Sequence, residues 1–319
     1  MNVKSIKIIK PIRKNITNKI IFSVDLDMWW HCRWATGSPN AIWKDIKNLF
    51  LDYYGSEKPD NSFVIYCEKT LALLEQFNIK ATFFILGEVA VHYPNLIKKI
   101  ANNGHEIACH GWHHVDMTML NRKQFRYEVE KAKKLLEDLT GQKVIGYRAP
   151  NLVITPWFIE EIINLDFIYD SSICPSRKFF GKYKGMSKMP NNPFIIICKN
   201  THKSESKFLI EIPVTAMPYV RLPACSGIIT RILGKTWTKI ALFWALQHGH
   251  VMYYFHPYEI GYPPFLKDKG WYIKLFFRNV GKPFIEMLKD IFQKTKVIEN
   301  VVAKDIALNM LELYELKNI

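Results

Sequence analysis

Two histidines four residues apart give the first sign of chemistry in this chain. His110 and His114 stand at the ends of the pentapeptide HGWHH. Side chains at this spacing are neighbours on a helical turn and can grip one metal ion. His113 faces another direction on helical geometry, so we do not expect it to be a ligand. Taken alone, the spacing is more often a surface histidine cluster or a helix cap, and a metal site needs further ligands.

Two aspartates end an apolar stretch near the N-terminus. Asp25 and Asp27 close the segment FSVDLD, and residues i and i+2 of a strand face the same side. A loop or helix-capping carboxylate explains one such acid more easily than two. One carboxylate with two imidazoles is a ligand set typical of catalytic zinc, and it leaves coordination positions open. The other carboxylate is then free to act as a base.

A cation and a third histidine follow other predicted strands. Arg148 comes after Val144–Tyr147 and is the candidate for keeping a base ionised beside a second carboxylate. His256 comes after Val251–Phe255. A lone histidine there is more often structural, but beside a metal and a base it can protonate a leaving amine. Asp170 either orients His256 or is a turn residue, and both interpretations stay open.

Alternating strands and helices must position these residues. The predicted strands are Ile20–Val24, Ala81–Leu86, Glu106–Cys109, Val144–Tyr147 and Val251–Phe255. The predicted helices are Phe63–Phe77, Tyr93–Ala101 and Arg122–Leu139, the last of which ends before Gly141. Such repeats predict a mainly parallel sheet, either open and doubly wound or closed into a barrel. Polar residues at the carboxyl ends of several strands favour the barrel.

Length, charge and cysteine usage limit the possible classes. With 319 residues, 49% of them hydrophobic, we expect one large domain with insertions at Met28–Asn61 and Ser176–Lys207 that shape the cleft. The formal net charge of +15 favours anionic partners, but no segment resembles a nucleic-acid-binding motif, so nucleic acid is not expected. Six dispersed cysteines and an N-terminus without a signal-peptide pattern predict a cytoplasmic protein.

Basic and aromatic residues together indicate contact with a membrane surface. The basic N-terminal segment 1–19 and the amphipathic stretch Ile229–Leu246 would attach reversibly to the anionic inner face of a membrane. The alternative is that Ile229–Leu246 is an ordinary helix whose apolar face lies in the core. The apolar stretches fall well short of the roughly 20 residues that span a bilayer, so the expected contact is peripheral.

Five segments together resemble one family. In chain order they read SVDLD at 23–27, GHEIACHGWHH at 104–114, GYRAP at 146–150, YDSS at 169–172 and FHPYE at 255–259. With these motifs in this order, the chain resembles the polysaccharide deacetylase family, the NodB-homology group of carbohydrate esterases, over about Ile20–Tyr262. The stretches Leu135–Pro150 and Trp271–Val297 are most similar to the branch associated with bacterial exopolysaccharide and exosortase loci.

The resemblance implies a fold and a set of site residues. The fold would be a distorted (β/α)7 barrel over residues 20–262, with a helical extension over residues 263–319 packed on it. The implied metal ligands are Asp27, His110 and His114, and the implied catalytic residues are Asp25 as base, Arg148 as its partner and His256 as acid. The metal would be Zn²⁺, or another divalent ion such as Co²⁺, Ni²⁺ or Fe²⁺. The chain departs from the commoner motif Asp-Asp-Gly-Pro because Leu26 separates its acids, and Asn151 replaces the Tyr or Ser of many relatives.

The implied activity is hydrolysis of an N-acyl group from an amino sugar. The group would be acetyl, or else formyl, on a glycan or on a lipid- or nucleotide-linked precursor. The tryptophans Trp29, Trp30, Trp34 and Trp112 would either stack on sugar rings or pack the barrel rim. One alternative is an amidohydrolase of a non-sugar substrate, because one fold serves several chemistries. The other is an inert protein that binds a glycan or an anionic lipid, against which the complete set of catalytic positions speaks.

Overall fold

The computed structural model describes residues 6–9, 18–32, 40–41, 47–178, 185–199, 206–267 and 270–315. Its strands are β1 Ile6–Ile9, β2 Lys19–Leu26, β3 Asn40–Ala41, β4 Ala81–Ile85, β5 Glu106–Cys109, β6 His114–Val115, β7 Gly146–Tyr147, β8 Tyr169–Asp170, β9 Phe194–Lys199, β10 Ser206–Glu211, β11 Val251–Phe255 and β12 Glu299–Asn300. Its α-helices are α1 Lys47–Tyr54, α2 Ser62–Gln76, α3 Gly87–His92, α4 Pro94–Asn102, α5 Arg122–Thr140, α6 Phe158–Asn164, α7 Gly227–Leu233, α8 Lys235–Leu246, α9 Trp271–Phe276, α10 Lys282–Thr295 and α11 Ala303–Glu315.

Seven of the described strands form a parallel set within one curled sheet. Their order is β11-β2-β4-β5-β7-β8-β10, and antiparallel β9 and β1 extend the sheet beyond β10. Among the described residues, helices stand in five of the six connections between these strands, since parallel neighbours need a crossover rather than a hairpin, and β9 stands between β8 and β10. This arrangement is the distorted (β/α)7 barrel that the sequence predicts, so the predicted fold class is confirmed.

The central strands are buried along almost their whole length. Every residue of β4 and β11 is buried, and so is every residue of β2 after Lys19. Strands that are covered on both faces carry continuous apolar runs, which is why the sequence predicts them well. Phe22 of β2 meets Phe292 of α10 edge-on, with ring centroids 4.8 Å apart. The helix α10 therefore packs directly against the sheet.

The long helix α5 shows how local signals set the element boundaries. The side chain of Asn121 caps its N-terminus by accepting hydrogen bonds from two backbone N–H groups, and the side-chain oxygen of Gln124 accepts one from the backbone N–H of Asn121. Gly141 ends the helix with a φ of 67°, a conformation that favours glycine. The buried side chains recur at helical spacing and are Phe125, Val129, Ala132 and Leu136. The predicted helix and its glycine end are confirmed.

The two predicted insertions differ in where they lie. Residues 194–199 within Ser176–Lys207 form β9, which pairs with β10 and widens the sheet. None of the described residues of this region lines the cleft, and residues 179–184 and 200–205 lie outside the described part of the chain, so its role in shaping the cleft stays a prediction. Within Met28–Asn61, by contrast, β3 pairs with β6 so that Ala41 stands opposite His114. The first insertion therefore pairs with the backbone of a candidate metal ligand.

The amphipathic stretch predicted to touch a membrane forms α7 and α8. One face of α8 is buried through Thr238, Ala241, Leu242 and Ala245. Its other face exposes Ile240, Phe243 and Trp244. The interpretation as an ordinary core helix therefore explains the buried face of α8 but not the apolar side chains exposed on its other face. No helix among the described residues is long and apolar enough to cross a membrane.

Candidate active site

The predicted site residues other than Asp170 meet at one rim of the barrel. Asp25 lies near the end of β2, and His256 follows β11 directly. His110 and Arg148 follow β5 and β7, and their N–H groups donate to the carbonyls of Ile85 (2.9 Å) and Cys109 (3.0 Å). These bonds extend the parallel ladders beyond the strand ends and hold the side chains at the rim. Arg148 is fully buried behind Asp25. The cleft at this rim is lined by Asp25, Asp27, Cys32, His110, His114, Asn151, Leu152, Ile228, Arg231, Tyr254, His256, Tyr258, Phe276 and Phe277.

Three buried side chains in this cleft form a candidate metal site. One ligand atom each of Asp27, His110 and His114 lies within 4.8 Å of the other two. Within this cluster, His114 Nε2 lies 3.2 Å from Asp27 Oδ2. One carboxylate and two imidazoles are the donor types that a catalytic zinc site uses. The donor set therefore fits a divalent transition metal.

His110 is held in the form that can ligate a metal. Its Nδ1–H donates to the carbonyl oxygen of Arg148 at 2.8 Å, which leaves the lone pair on Nε2. Burial lowers the pKa of His110 to about 4, although the negative charge of Asp25 acts to raise it. The imidazole is therefore neutral at ordinary pH, and a neutral imidazole is the form that binds metal ions.

Arg148 holds Asp25 in place from the barrel interior. Its Nη1–H donates to Asp25 Oδ1 at 2.5 Å and to Ser23 Oγ at 3.1 Å. Its Nε–H and Nη2–H donate to the carbonyl and hydroxyl oxygens of Ser171 at 3.1 and 2.9 Å. The guanidinium also lies 3.9 Å from the ring centroid of Phe84. Together these contacts surround the guanidinium and fix its position.

The same contacts keep Asp25 ionised. Burial would raise the pKa of Asp25, but the positive charge of Arg148 and the nearby imidazoles outweigh burial and lower it. A carboxylate held ionised at a cleft can take a proton from water. The geometry thus supports Asp25 as the base.

His256 faces both aspartates with one nitrogen and a third carboxylate with the other. Its Nε2 lies 4.0 Å from Asp25 Oδ2 and 4.0 Å from Asp27 Oδ1. Its Nδ1–H donates to Glu259 Oε2 at 3.1 Å, and its backbone N–H donates to the same oxygen at 2.8 Å. Burial alone would lower the pKa of His256, but the three carboxylates around it outweigh burial and raise that pKa. The ring is therefore suited to carry a proton.

Glu259 is a site residue that the sequence prediction missed. Its second oxygen, Oε1, accepts a hydrogen bond from Arg231 Nε at 2.8 Å, and both side chains are buried. Burial would raise the pKa of Glu259, but Arg231 and His256 lower it to about 2. A signal was present in the motif FHPYE, because a glutamate three residues after His256 can reach back across one helical turn.

Asp170, which the sequence left open as either the residue that orients His256 or a turn residue, bonds to Ser172 instead. Its Oδ1 accepts a hydrogen bond from the Ser172 hydroxyl at 2.6 Å, and that hydroxyl accepts one from the N–H of Ala149 at 2.8 Å. Burial raises the pKa of Asp170 to about 6, beside Glu211 on the adjacent strand. Asp170 therefore supports the backbone next to Arg148, and the prediction is corrected to Glu259 as the partner of His256.

The sequence left open whether the tryptophans stack on a sugar or pack the barrel rim, and no tryptophan among the described residues lines the cleft. Trp29 and Trp30 are fully buried, so they pack the interior and cannot stack on a sugar. Trp112 is half-buried beneath the ammonium group of Lys131, 3.7 Å from its ring centroid, and Trp34 lies outside the described residues. The aromatic residues that do line the cleft are Tyr254, Tyr258, Phe276 and Phe277.

Exchanging Glu259 for glutamine tests its role as a positioning residue. Glu259→Gln keeps the shape but removes the charge, so we expect turnover to fall about 10–100-fold. The pKa of His256 should drop, which moves the alkaline limb of the kcat/KM profile to lower pH because the acid must be protonated. Arg231 also loses its buried counter-charge, which should lower the free energy of unfolding by about 3–5 kcal/mol. The exposed Glu286→Gln on α10 is the control, and an unchanged pH profile in Glu259→Gln would remove Glu259 from the site.

Comparison with known proteins agrees with this fold. Residues 60–167 match the family model for polysaccharide deacetylase, a segment that includes His110, His114 and Arg148. A peptidoglycan-N-acetylglucosamine deacetylase of Bacillus cereus is 39% identical over 92 residues, which are 29% of this chain and 32% of that protein. The chain thus spans about a third of the length of this curated relative.

Solved structures extend the likeness to nearly the whole chain. A Mycobacterium smegmatis protein described as a polysaccharide deacetylase has a TM-score of 0.61 at 17% identity, covering 96% of this chain and 94% of its own. Puue allantoinase has a TM-score of 0.58 at 16% identity, with 93% and 91% covered. The fold is that of the polysaccharide deacetylases. Asp25, Asp27 and His256 lie outside the matched segment, and the structure joins them to it.

Proposed function

We propose that the protein is a metal-dependent hydrolase that removes an N-acyl group, chiefly acetyl, from an amino sugar. The observation that carries the proposal is the meeting of three units in one cleft: the Asp27, His110 and His114 cluster, the Asp25 and Arg148 pair, and the His256 and Glu259 pair. Each unit supplies a different requirement of amide hydrolysis, namely metal ligands, a base and an acid.

The metal ligands would be Asp27, His110 and His114. A zinc or similar divalent ion held by them would polarise the amide carbonyl and acidify a water molecule. Asp25, kept ionised by Arg148, takes the proton from the attacking water as the new C–O bond forms. The carbonyl oxygen then becomes an oxyanion that needs a hydrogen-bond donor.

The loop after Arg148 offers that donor. The N–H of Ala149 is engaged by Ser172, and Pro150 has none. The N–H groups of Leu152 and Val153 donate within the loop. Asn151, which lines the cleft with a φ of 56°, is therefore the residue whose backbone N–H we assign to the oxyanion. The assignment explains why a side chain other than Tyr or Ser is acceptable at this position.

His256 completes the reaction. As the C–N bond breaks, its Nε2–H gives a proton to the sugar nitrogen, and Glu259 stabilises the charged ring before the transfer. The products are acetate and the free amine of the sugar. With the oxygen and hydrogen of water shared between them, the atoms balance without a further reactant.

The cleft supports a sugar substrate over a small cyclic amide. Tyr254, Tyr258 and two phenylalanines present aromatic surface, and aromatic rings pack well against the apolar faces of sugars. Fold likeness to Puue allantoinase keeps a non-sugar amide as the second candidate.

Acetate release separates the two candidates. Zinc-loaded protein should release acetate from oligomers of N-acetylglucosamine and leave allantoin unchanged, because the aromatic side chains that line the cleft suit the apolar face of a sugar ring. A sample treated with a chelator is the control and should be inactive, and activity should return when zinc is restored. Hydrolysis of allantoin, or no acetate from any N-acyl amino sugar at full zinc occupancy, would contradict the proposal.

A further inference from the structure

We propose that α9 docks on an anionic phospholipid surface and that the substrate is an amino sugar carried on a lipid. The inference rests on the proposed function and adds the substrate class. The docking face is defined here as Trp271, Tyr272 and Leu275.

The docking face exposes side chains that a folded protein normally buries. Trp271 is 78% exposed, Tyr272 56% and Leu275 43%, while Ile273 on the opposite side of the helix is buried. The two aromatic rings lie together, with centroids 6.4 Å apart. Contiguous exposed apolar surface of this kind marks an interaction site. Tryptophan and tyrosine are also the side chains enriched at the interface of a bilayer with water.

The docking face is tied to the wall of the cleft. Phe276 ends α9 and Phe277 follows it, and both line the cleft. Arg231 Nη1–H donates to the carbonyls of Phe276 at 2.7 Å and Arg278 at 3.0 Å, and its Nε–H binds Glu259. One buried arginine thus connects the end of α9 to the partner of His256. A surface that touches α9 therefore lies beside the mouth of the site.

The charges around α9 select an anionic occupant. The sequence from Lys269 to Lys282 holds four cations and no acid, and Lys274 and Arg278 are exposed in the structure. Basic residues beside interfacial aromatic side chains are the composition that binds anionic lipid. A second copy of this chain would also carry a net charge of +15 and would be repelled. An uncharged glycan would gain little from the cations.

The structure moves the membrane contact from α8 to α9. The sequence points to Ile229–Leu246, and α8 does expose Phe243 and Trp244. The cations of that helix, however, are engaged: Lys239 Nζ lies 2.9 Å and Lys235 Nζ 3.9 Å from Asp290. Lys274 and Arg278, the exposed cations beside the docking face, have no acid within five positions along the chain. Electrostatic attraction to an anionic membrane is therefore expected at α9 rather than at α8.

Vesicle co-sedimentation tests the docking face without any activity measurement. The full chain should bind vesicles of phosphatidylglycerol with phosphatidylcholine, bind pure phosphatidylcholine weakly, and release as salt rises, because exposed charges are screened. The double variant Trp271→Ala/Leu275→Ala should lower the partition coefficient at least about tenfold. Lys274→Gln and Arg278→Gln should each lower it about fivefold.

Two exposed aromatic residues elsewhere provide matched controls. Tyr127→Ala on α5 and Trp244→Ala on α8 should bind vesicles as the unchanged chain does. All variants replace exposed side chains, so their melting temperatures should stay the same. Equal binding to both vesicle types, no binding to either, or full binding by the Trp271→Ala/Leu275→Ala variant would overturn the proposal. Loss of binding in Trp244→Ala alone would overturn it too, since the contact would then lie on α8.

A second measurement connects docking to the substrate. In anionic vesicles, kcat/KM for an N-acetyl amino sugar on a lipid should fall about tenfold in Trp271→Ala/Leu275→Ala, in proportion to lost binding. With a short water-soluble N-acetyl amino sugar the same variant should match the unchanged chain. An equal fall on both substrates would overturn the docking proposal. Vesicle binding by a protein that deacetylates neither substrate would instead contradict the proposed function and leave docking intact.

Discussion

Replacing His110 or His114 with alanine is expected to abolish metal binding and activity together. Each histidine supplies one of the three ligand atoms in the buried cluster, and two remaining ligands hold a transition metal poorly. The fold should survive, because the site lies at the barrel rim and the core of the sheet does not depend on it. His110→Ala also removes a hydrogen bond to the Arg148 carbonyl, which costs about 1 kcal/mol. Metal analysis of the purified variants measures the effect.

His113 supplies the control for this experiment. It lies in the same pentapeptide, but its Nδ1–H donates to Glu88 at 2.9 Å. His113→Ala should therefore keep about one metal ion per chain. If His110→Ala or His114→Ala kept the same metal content as the unchanged protein, the proposed coordination would be wrong. A parallel melting curve shows whether a loss of metal reflects the site or a loss of folding.

The second large effect is expected from the two aspartates, which should fail in different ways. Asp25→Asn should keep the metal and lose about 10²–10⁴-fold in turnover, because an amide cannot take the proton of water. Asp27→Asn should lose metal affinity first, since its carboxylate belongs to the ligand cluster. Metal titration and kcat measured at saturating zinc separate the two outcomes. The opposite pattern would exchange the roles of base and ligand.

Asp25→Asn should also change the acid stability of the protein. The pKa of Asp25 is lowered in the folded state, so its pairing with Arg148 contributes stability above its ordinary pKa of 3.8. That stability is lost as pH falls below 3.8 and through the lowered folded-state pKa, where the carboxylate becomes protonated. Unfolding of metal-free protein should therefore depend less steeply on pH in the variant below about pH 4. An unchanged slope would mean that the pair contributes nothing to folding.

Much of the site could be predicted from the sequence because its residues directly end or follow strands. The runs at Glu106–Cys109 and Val251–Phe255 match β5 and β11 residue for residue. In a parallel sheet the carboxyl ends share one edge, so a polar residue after each run must lie near the others. The spacing of His110 and His114 added a local ligand pair. These relations depend on backbone geometry, which short sequence patterns report well.

Tertiary structure alone decided which side chains contact one another. His256 could take its partner from Asp170 or Glu259, and the choice depends on how β8 packs beside β10, which commits Asp170 to Ser172 and Glu211. Burial of Trp29 and exposure of Trp271 are likewise invisible in composition, because both are tryptophans beside other aromatic residues. Whether a helix face turns inward or outward is set by the elements that pack on it. Such long-range contacts leave no periodic trace in the chain.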